Sequence, residues 1–216
     1  MQALLYILLS ALEGFVVFYF AFSIFRINIK ENLYEILITN IMISIATYFY
    51  SLEPITSNLS PFFNMIAMIL CIIFIFKISP LYSIFTAVLS LVVILVIQSL
   101  FVWVMYPVTH LSLADIKNND FLRYTYQIGS DTIIFFLAKR LVKKGLWFSF
   151  ISYNFSLKFS LTKINLLITI IPICVMILVG ITYDINKFLF GSIIWLLCFI
   201  NLLYMGIRME RSRIEH

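Results

Sequence analysis

A chain of 216 residues that is 63% hydrophobic and only 12% charged, with a mean hydropathy of +1.07, is not an ordinary soluble domain, in which about a quarter of residues carry charge. A formal net charge of +5 would suggest nucleic acid in a soluble protein, but here most Lys and Arg flank apolar runs, where they orient spans and meet anionic headgroups. Membrane lipids are therefore the expected partners and nucleic acid is not, and several spans of about 20 residues each leave no length for a separate soluble domain.

The expected fold is an all-α, polytopic transmembrane bundle of about seven spans. Span 1 covers about 2–25; it lacks a basic leader and is too long for the apolar part of a signal peptide. Span 2, about 33–52, runs into EPITSNLSP, where Pro54 and Pro61 predict a break at an interface. Span 3, about 62–76, turns through Lys77 and Pro80 into span 4, about 81–105, the most continuous apolar run. Residues 106–124 form a solvated loop containing Pro107, His110 and Asp115. Span 5, about 121–138, is interrupted by Arg123, Gln127, Gly129 and Asp131 and closes on AKRLVKKG, the most basic stretch of the chain. The aromatic and serine-rich segment 146–161 suits a strand or a stretch lying flat at the membrane surface, with Lys158 and Lys163 favouring the surface. Span 6, about 164–182, carries Pro172 and should kink there. Span 7, about 188–207, leads directly into a polar end at 208–216.

Seven spans with the N-terminus outside put twelve basic residues inside and three outside. The inner set is Arg26 and Lys30, then Lys77, then Lys139, Arg140, Lys143, Lys144, Lys158 and Lys163, then Arg208, Arg211 and Arg213; the outer set is Lys117, Arg123 and Lys187. That asymmetry is the positive-inside pattern, with Lys139, Arg140, Lys143 and Lys144 as its strongest marker.

No catalytic or metal-binding constellation is legible. The two histidines, His110 and His216, lie in a loop and at the last position, and there is no HExxH, no paired-carboxylate EExxxR, and no GxSG or other Ser beside a usable base. Cys71, Cys174 and Cys198 lie inside apolar runs without metal-ligand spacing. Neither enzyme activity nor any cofactor or metal is expected. The informative residues are polar ones inside spans: Glu13 near the middle of span 1 and Asp131 near the middle of span 5, at similar depth. A charge at bilayer centre costs on the order of 3 kcal/mol, so both should face the bundle interior. With Asn40, Gln98 and Asn201 they either line a ligand pocket or act as hydrogen-bond glue between helices, worth about 0.6 kcal/mol each.

Three stretches carry a resemblance: LLSALEGFVVFYFAF with Glu13, FSLTKINLLITIIPICVMIL with Pro172, and INLLYMGIRMERSRIEH at the end of span 7. In pattern and order the chain resembles the N-terminal membrane sensor of GHKL-type peptide-sensing bacterial histidine kinases, the group that includes the accessory-gene-regulator receptors. The resemblance implies a multi-pass protein of the bacterial plasma membrane, a homodimer, an extracellular peptide as ligand, and a signal passed through the last helix to a cytoplasmic kinase or regulator. On that reading Pro172, Arg208, Glu210 and Arg211 are the relay residues. The phosphoacceptor helix and ATP-binding motifs of the family do not occur between residues 1 and 216, so no kinase activity is expected of these residues. The expected function is a receptor-like membrane sensor without catalysis of its own. The alternatives are a small transporter or peptide-immunity protein, for which an inverted repeat would be the sign and none is visible, and a structural subunit of an assembly.

Overall fold

The structure, a computed structural model, describes residues 2–52, 54–109, 116, 119–145, 148, 170–175, 177–178 and 188–214. These residues are helical wherever they are regular, and no strand occurs among them. The long helices are α1 (Gln2–Ile24), α2 (Leu33–Ser51), α3 (Pro54–Phe74), α4 (Pro80–Thr109), α5 (Asp120–Lys143) and α6 (Phe188–Ile214); residues 170–175 and 177–178 are helical as well. Four of them, α1, α2, α4 and α6, are long and apolar enough to cross a membrane.

α4 is the central helix, touching α1, α3, α5 and α6. Its middle is apolar all round, and Phe85, Val88, Leu89, Val92 and Val93 are fully enclosed, as a helix with no polar face must be. Two of its serine hydroxyls turn back on their own backbone: Ser90 donates to the Thr86 carbonyl at 2.8 Å and Ser99 to the Val96 carbonyl at 2.8 Å. α2 lies at the periphery, with Tyr34, Leu37, Ile41, Met42, Ile45 and Phe49 exposed on its outer face. So much apolar surface facing outward is what a hydrocarbon surrounding requires and water would punish.

Side-chain pairs fix the helix directions. Tyr6 meets Tyr48 while Gly14 meets Asn40, so α1 and α2 are antiparallel. Glu13 meets Gln98 while Phe25 meets Phe85, which makes α4 antiparallel to α1. Glu13 meets Gln127 and the Tyr19 ring packs on Phe135 at 4.8 Å, so α1 and α5 are parallel neighbours. α3 also ends beside the end of α1, where Phe22 and Phe76 meet edge to face at 4.8 Å.

The C-termini of α1, α3 and α5 share a device. Arg26 (φ 58°), Lys77 (φ 53°) and Gly145 (φ 70°) each adopt the left-handed conformation that ends a helix. At α1 the Arg26 N–H donates to the Ser23 carbonyl at 3.4 Å and the Ile27 N–H to the Phe22 carbonyl at 2.8 Å, a Schellman pair, with Ile27 buried behind it. Ile78 is buried in the same place after Lys77. A side chain in this conformation costs about 1 kcal/mol. Lys77→Gly should therefore raise the melting temperature of the detergent-solubilised protein, by about 1 kcal/mol of stability; a lower melting temperature would show that the lysine side chain matters more than the backbone strain.

Several boundaries differ from the sequence expectation. α3 begins at Pro54, not near residue 62: Pro54 occupies the first turn, where a missing N–H costs nothing, and the helix continues through Pro61. α4 continues past Met105 and includes Pro107, so the first residues expected in a solvated loop are helical; residues 110–115, 117 and 118 lie outside the described residues. α5 is a full 24-residue helix despite its polar interruptions, started by the Asn119 side chain, which accepts from the Phe121 and Leu122 N–H groups at 3.0 and 3.3 Å. α6 runs without a break beyond residue 207 to Ile214. Of the segment 146–161, expected to be a strand or to lie flat at the membrane surface, only Phe148 is described, and its side chain is buried against neighbouring helices. Its N–H donates to the Ile24 carbonyl at 2.7 Å, its ring packs beside Phe25, and Gly206 of α6 lies against it.

Candidate functional site

The polar residues of three helices converge on Glu13. On α1 the spacing Ser10, Glu13, Gly14 puts all three on one face. α4 brings Gln98, whose Nε2 donates to Glu13 Oε1 at 2.9 Å. α5 brings Gln127, whose Nε2 donates to Glu13 Oε2 at 2.8 Å and also approaches the Leu9 carbonyl at 3.4 Å. Each carboxyl oxygen is thus held by a different helix, and Glu13 ties α1, α4 and α5 together.

Beside this knot lies a cavity of about 280 Å³ between α1, α2, α3 and α4. α1 contributes Tyr6, Ser10, Glu13 and Gly14 to its wall, and α2 contributes Asn40, Ser44 and Thr47. Asn64 continues this polar side, accepting a 2.6 Å hydrogen bond from Thr47. The opposite side is apolar and flexible, with Met65 and Met68 from α3 and Leu91 and Leu95 from α4. The wall on α1 runs from Tyr6 to Phe18, roughly 18 Å of helix rise.

Asn40 is 2% exposed, and its amide presses on Gly14, which leaves no room for a side chain at that position. Its Nδ2 has no hydrogen-bond partner. A buried amide donor left unpaired costs about 1–3 kcal/mol, so this is where the cavity is energetically incomplete.

Asp131 is also 2% exposed, and neither of its carboxyl oxygens has a partner. It lies one helical turn beyond Gln127 on α5 and is not part of the cavity wall. Of the two acids expected at similar depth, Glu13 meets Gln127, and Asp131 is the next layer along α5. The ion pair of Arg123 with Asp120, at 2.9 Å, lies at the start of α5, away from both acids.

Of the sequence-predicted site residues, Glu13, Gln98 and Asn40 come together, Asp131 is adjacent, and Asn201 does not join them. Asn201 is exposed on α6, on the same outward stripe as Leu197, Ile200 and Tyr204, because 3.6 residues per turn carry it away from buried Cys198 and Leu202. The sequence reading did not select Gln127, although its position four residues before Asp131 places it on the same face, nor Thr47 and Asn64, the latter because its helix was expected to begin only two residues earlier. Pro172 is buried within the helical residues 170–175. Arg208 is exposed and Glu210 half-buried on α6, which also includes Arg211 in its backbone. Lys139, Arg140, Lys143 and Lys144 are all exposed at the end of α5. Lys158, Lys163 and Lys187 and the two histidines lie outside the described residues. The three cysteines are free thiols.

The arrangement can bind and orient a small polar group against an apolar surface. Its polar groups are one carboxyl, the amides of Asn40, Asn64, Gln98 and Gln127, and several hydroxyls. Among the described residues no cluster of metal-ligating side chains occurs. No protein-family model, curated protein or solved structure matches this chain.

Proposed function

We propose that the chain is the sensing domain of a multi-pass bacterial plasma-membrane protein, one that takes up an extracellular peptide among its helices and relays its presence to a cytoplasmic partner without catalysis of its own. The reading uses seven spans, N-terminus outside and C-terminus inside. The strict alternation of direction from α1 to α5 supports it, as does the gathering of Arg26, Lys77, Lys139, Arg140, Lys143 and Lys144 at one end of the bundle. On this reading that end is the inner one.

The observation that carries the functional part is the half-polar cavity beside Glu13, reaching from near the outer end of α1 toward mid-membrane. Bundles held only by glue have no need of such a space, and a ligand site does. α6 contacts α4, a wall of that cavity, and continues as one helix to Ile214, so a change in how α4 sits reaches the cytoplasmic residues through a rigid element. The relay requires that ligand bind the two arrangements with different affinity.

Disulfide crosslinking tests this. In a background without native cysteines, Met205→Cys and Ile207→Cys place reporters on the buried and exposed sides of α6. A pooled library of short synthetic peptides added from outside should change the crosslinking yield between copies at one of the two positions. An unchanged pattern across the pool overturns the relay.

A further inference from the structure

We infer that the cavity is a receptor for the amino-terminal residue of a peptide, with the free α-ammonium on Glu13, the first carbonyl on the Asn40 amide, and an apolar side chain against Met65 and Met68. This rests on the sensing role proposed above and names the chemistry of its ligand.

Among the described residues the cavity wall carries one acid and no Lys, Arg or His, so a cationic group is the complement of its carboxylate. Glu13 is held in place by Gln98 and Gln127, each oxygen using one acceptor direction, which leaves a fixed carboxyl with acceptor capacity toward the cavity. Across Gly14 from it, the Asn40 Nδ2 has no partner in the protein and is closed off within the wall, so a carbonyl in the cavity completes it once the amide turns about its last torsion. An acid beside an unpaired amide donor matches the ammonium and carbonyl that every peptide presents on adjacent atoms at its start.

The remaining wall selects the side chain of that first residue. Met65, Met68, Leu91 and Leu95 form an apolar and adaptable surface suited to a branched aliphatic group. A volume of about 280 Å³ holds roughly one residue and its attachments, less than the range of about 300–1,000 Å³ typical for drug-sized ligands. The rest of the peptide would therefore leave through the Tyr6 end. A bare inorganic cation fits less well: the two glutamines turn N–H groups, not oxygens, toward the carboxyl.

The test uses the full chain in lipid nanodiscs and two probes, leucinamide and N-acetyl-leucinamide, which differ in the free ammonium. Calorimetric titration should show saturable binding of leucinamide and, by roughly tenfold or more, weaker binding of the acetylated probe. Glu13→Gln should weaken leucinamide by about 10- to 100-fold, the usual worth of a hydrogen bond to a charged group. Asn40→Leu should weaken both probes by a similar factor of about ten, with helical content by circular dichroism unchanged in both variants. Equal binding of the two probes, or full binding by folded Glu13→Gln protein, overturns the assignment. So does sodium chloride abolishing leucinamide binding at concentrations where choline chloride does not, which would assign the cavity to an inorganic cation. The sensing role stands or falls separately. Leucinamide that binds but leaves the α6 crosslinks unchanged while the peptide pool also does so refutes the relay and keeps the site; crosslinks that respond to the pool with no leucinamide binding refute the site and keep the relay.

Discussion

Glu13→Ala should lower the unfolding free energy in detergent by about 2 kcal/mol, and Glu13→Gln by less than half as much. The alanine removes both acceptors at once and strands the Gln98 and Gln127 amides, which come from different helices. Polar contacts between membrane helices average about 0.6 kcal/mol with a maximum near 1.7, whereas an unsatisfied buried donor costs about 1–3 kcal/mol. The lower figures apply when helices repack and find new partners; here Gln98 is fixed on the central helix and Gln127 reaches only Glu13 and the Leu9 carbonyl, so the higher ones decide. Glutamine keeps one acceptor oxygen and loses one bond. The triple replacement Glu13→Leu, Gln98→Leu, Gln127→Leu should recover most of what Glu13→Ala loses, since removing all partners together leaves no orphan. Unfolding followed by tryptophan fluorescence in mixed micelles measures the series. A triple variant as unstable as Glu13→Ala would mean that shape, not hydrogen bonding, holds the three helices there.

The second large effect is expected at Gly206. A Cβ at this position would stand 2.5, 2.8 and 3.0 Å from three carbons of the Phe148 ring. That ring cannot easily retreat, because Phe148 is buried beside Phe25 and its N–H is bonded to the Ile24 carbonyl. Gly206→Val should cost about 1–3 kcal/mol, the usual range for overpacking. Adding Phe148→Leu should return at least half of the loss in a thermal unfolding assay. A valine variant as stable as the parent would show that α6 does not seat against this ring. Gly206 lies on α6 between buried Leu202 and the polar end of the helix, so the same pair should also alter the crosslinks at Ile207.

Long uninterrupted apolar runs make most of this architecture legible in the sequence. The first two helices end within a residue of expectation because their runs are clean and stop at Arg26 and at Leu52. α3 is longer than its hydropathy suggests because Pro54 and Pro61 read as breaks, when a proline in a first turn is compatible with a helix and the second is accommodated within it. α5 looks doubtful for the reason it matters: Gln127 and Asp131 dilute its hydropathy by facing other helices. Glu13, Gln98 and Asn40 are recognisable because a bilayer rejects such residues unless they turn inward. What one sequence does not contain is which helix stands beside which. α5 returns parallel to α1 and in direct contact with it, bringing together Glu13 and Gln127 across 114 positions of chain, and no local pattern states that pairing. Asn201 is misjudged for the same reason: its residue type suggests a site, and its helical phase puts it outside.

The left-handed caps at Arg26, Lys77 and Gly145 have a consequence for topology itself. They collect the carbonyl ends of α1, α3 and α5 at one end of the bundle, and each helix end carries a partial negative charge equivalent to roughly half an electron. Arg26 and Lys77 occupy the cap residues themselves, and Arg140, Lys143 and Lys144 surround the third. On the orientation proposed above, the cations on the inner side are therefore also the counter-charges of the helix dipoles. Orientation and stability are then shared by Arg140, Lys143 and Lys144, whereas at Lys77 relief of the left-handed backbone outweighs the lost counter-charge.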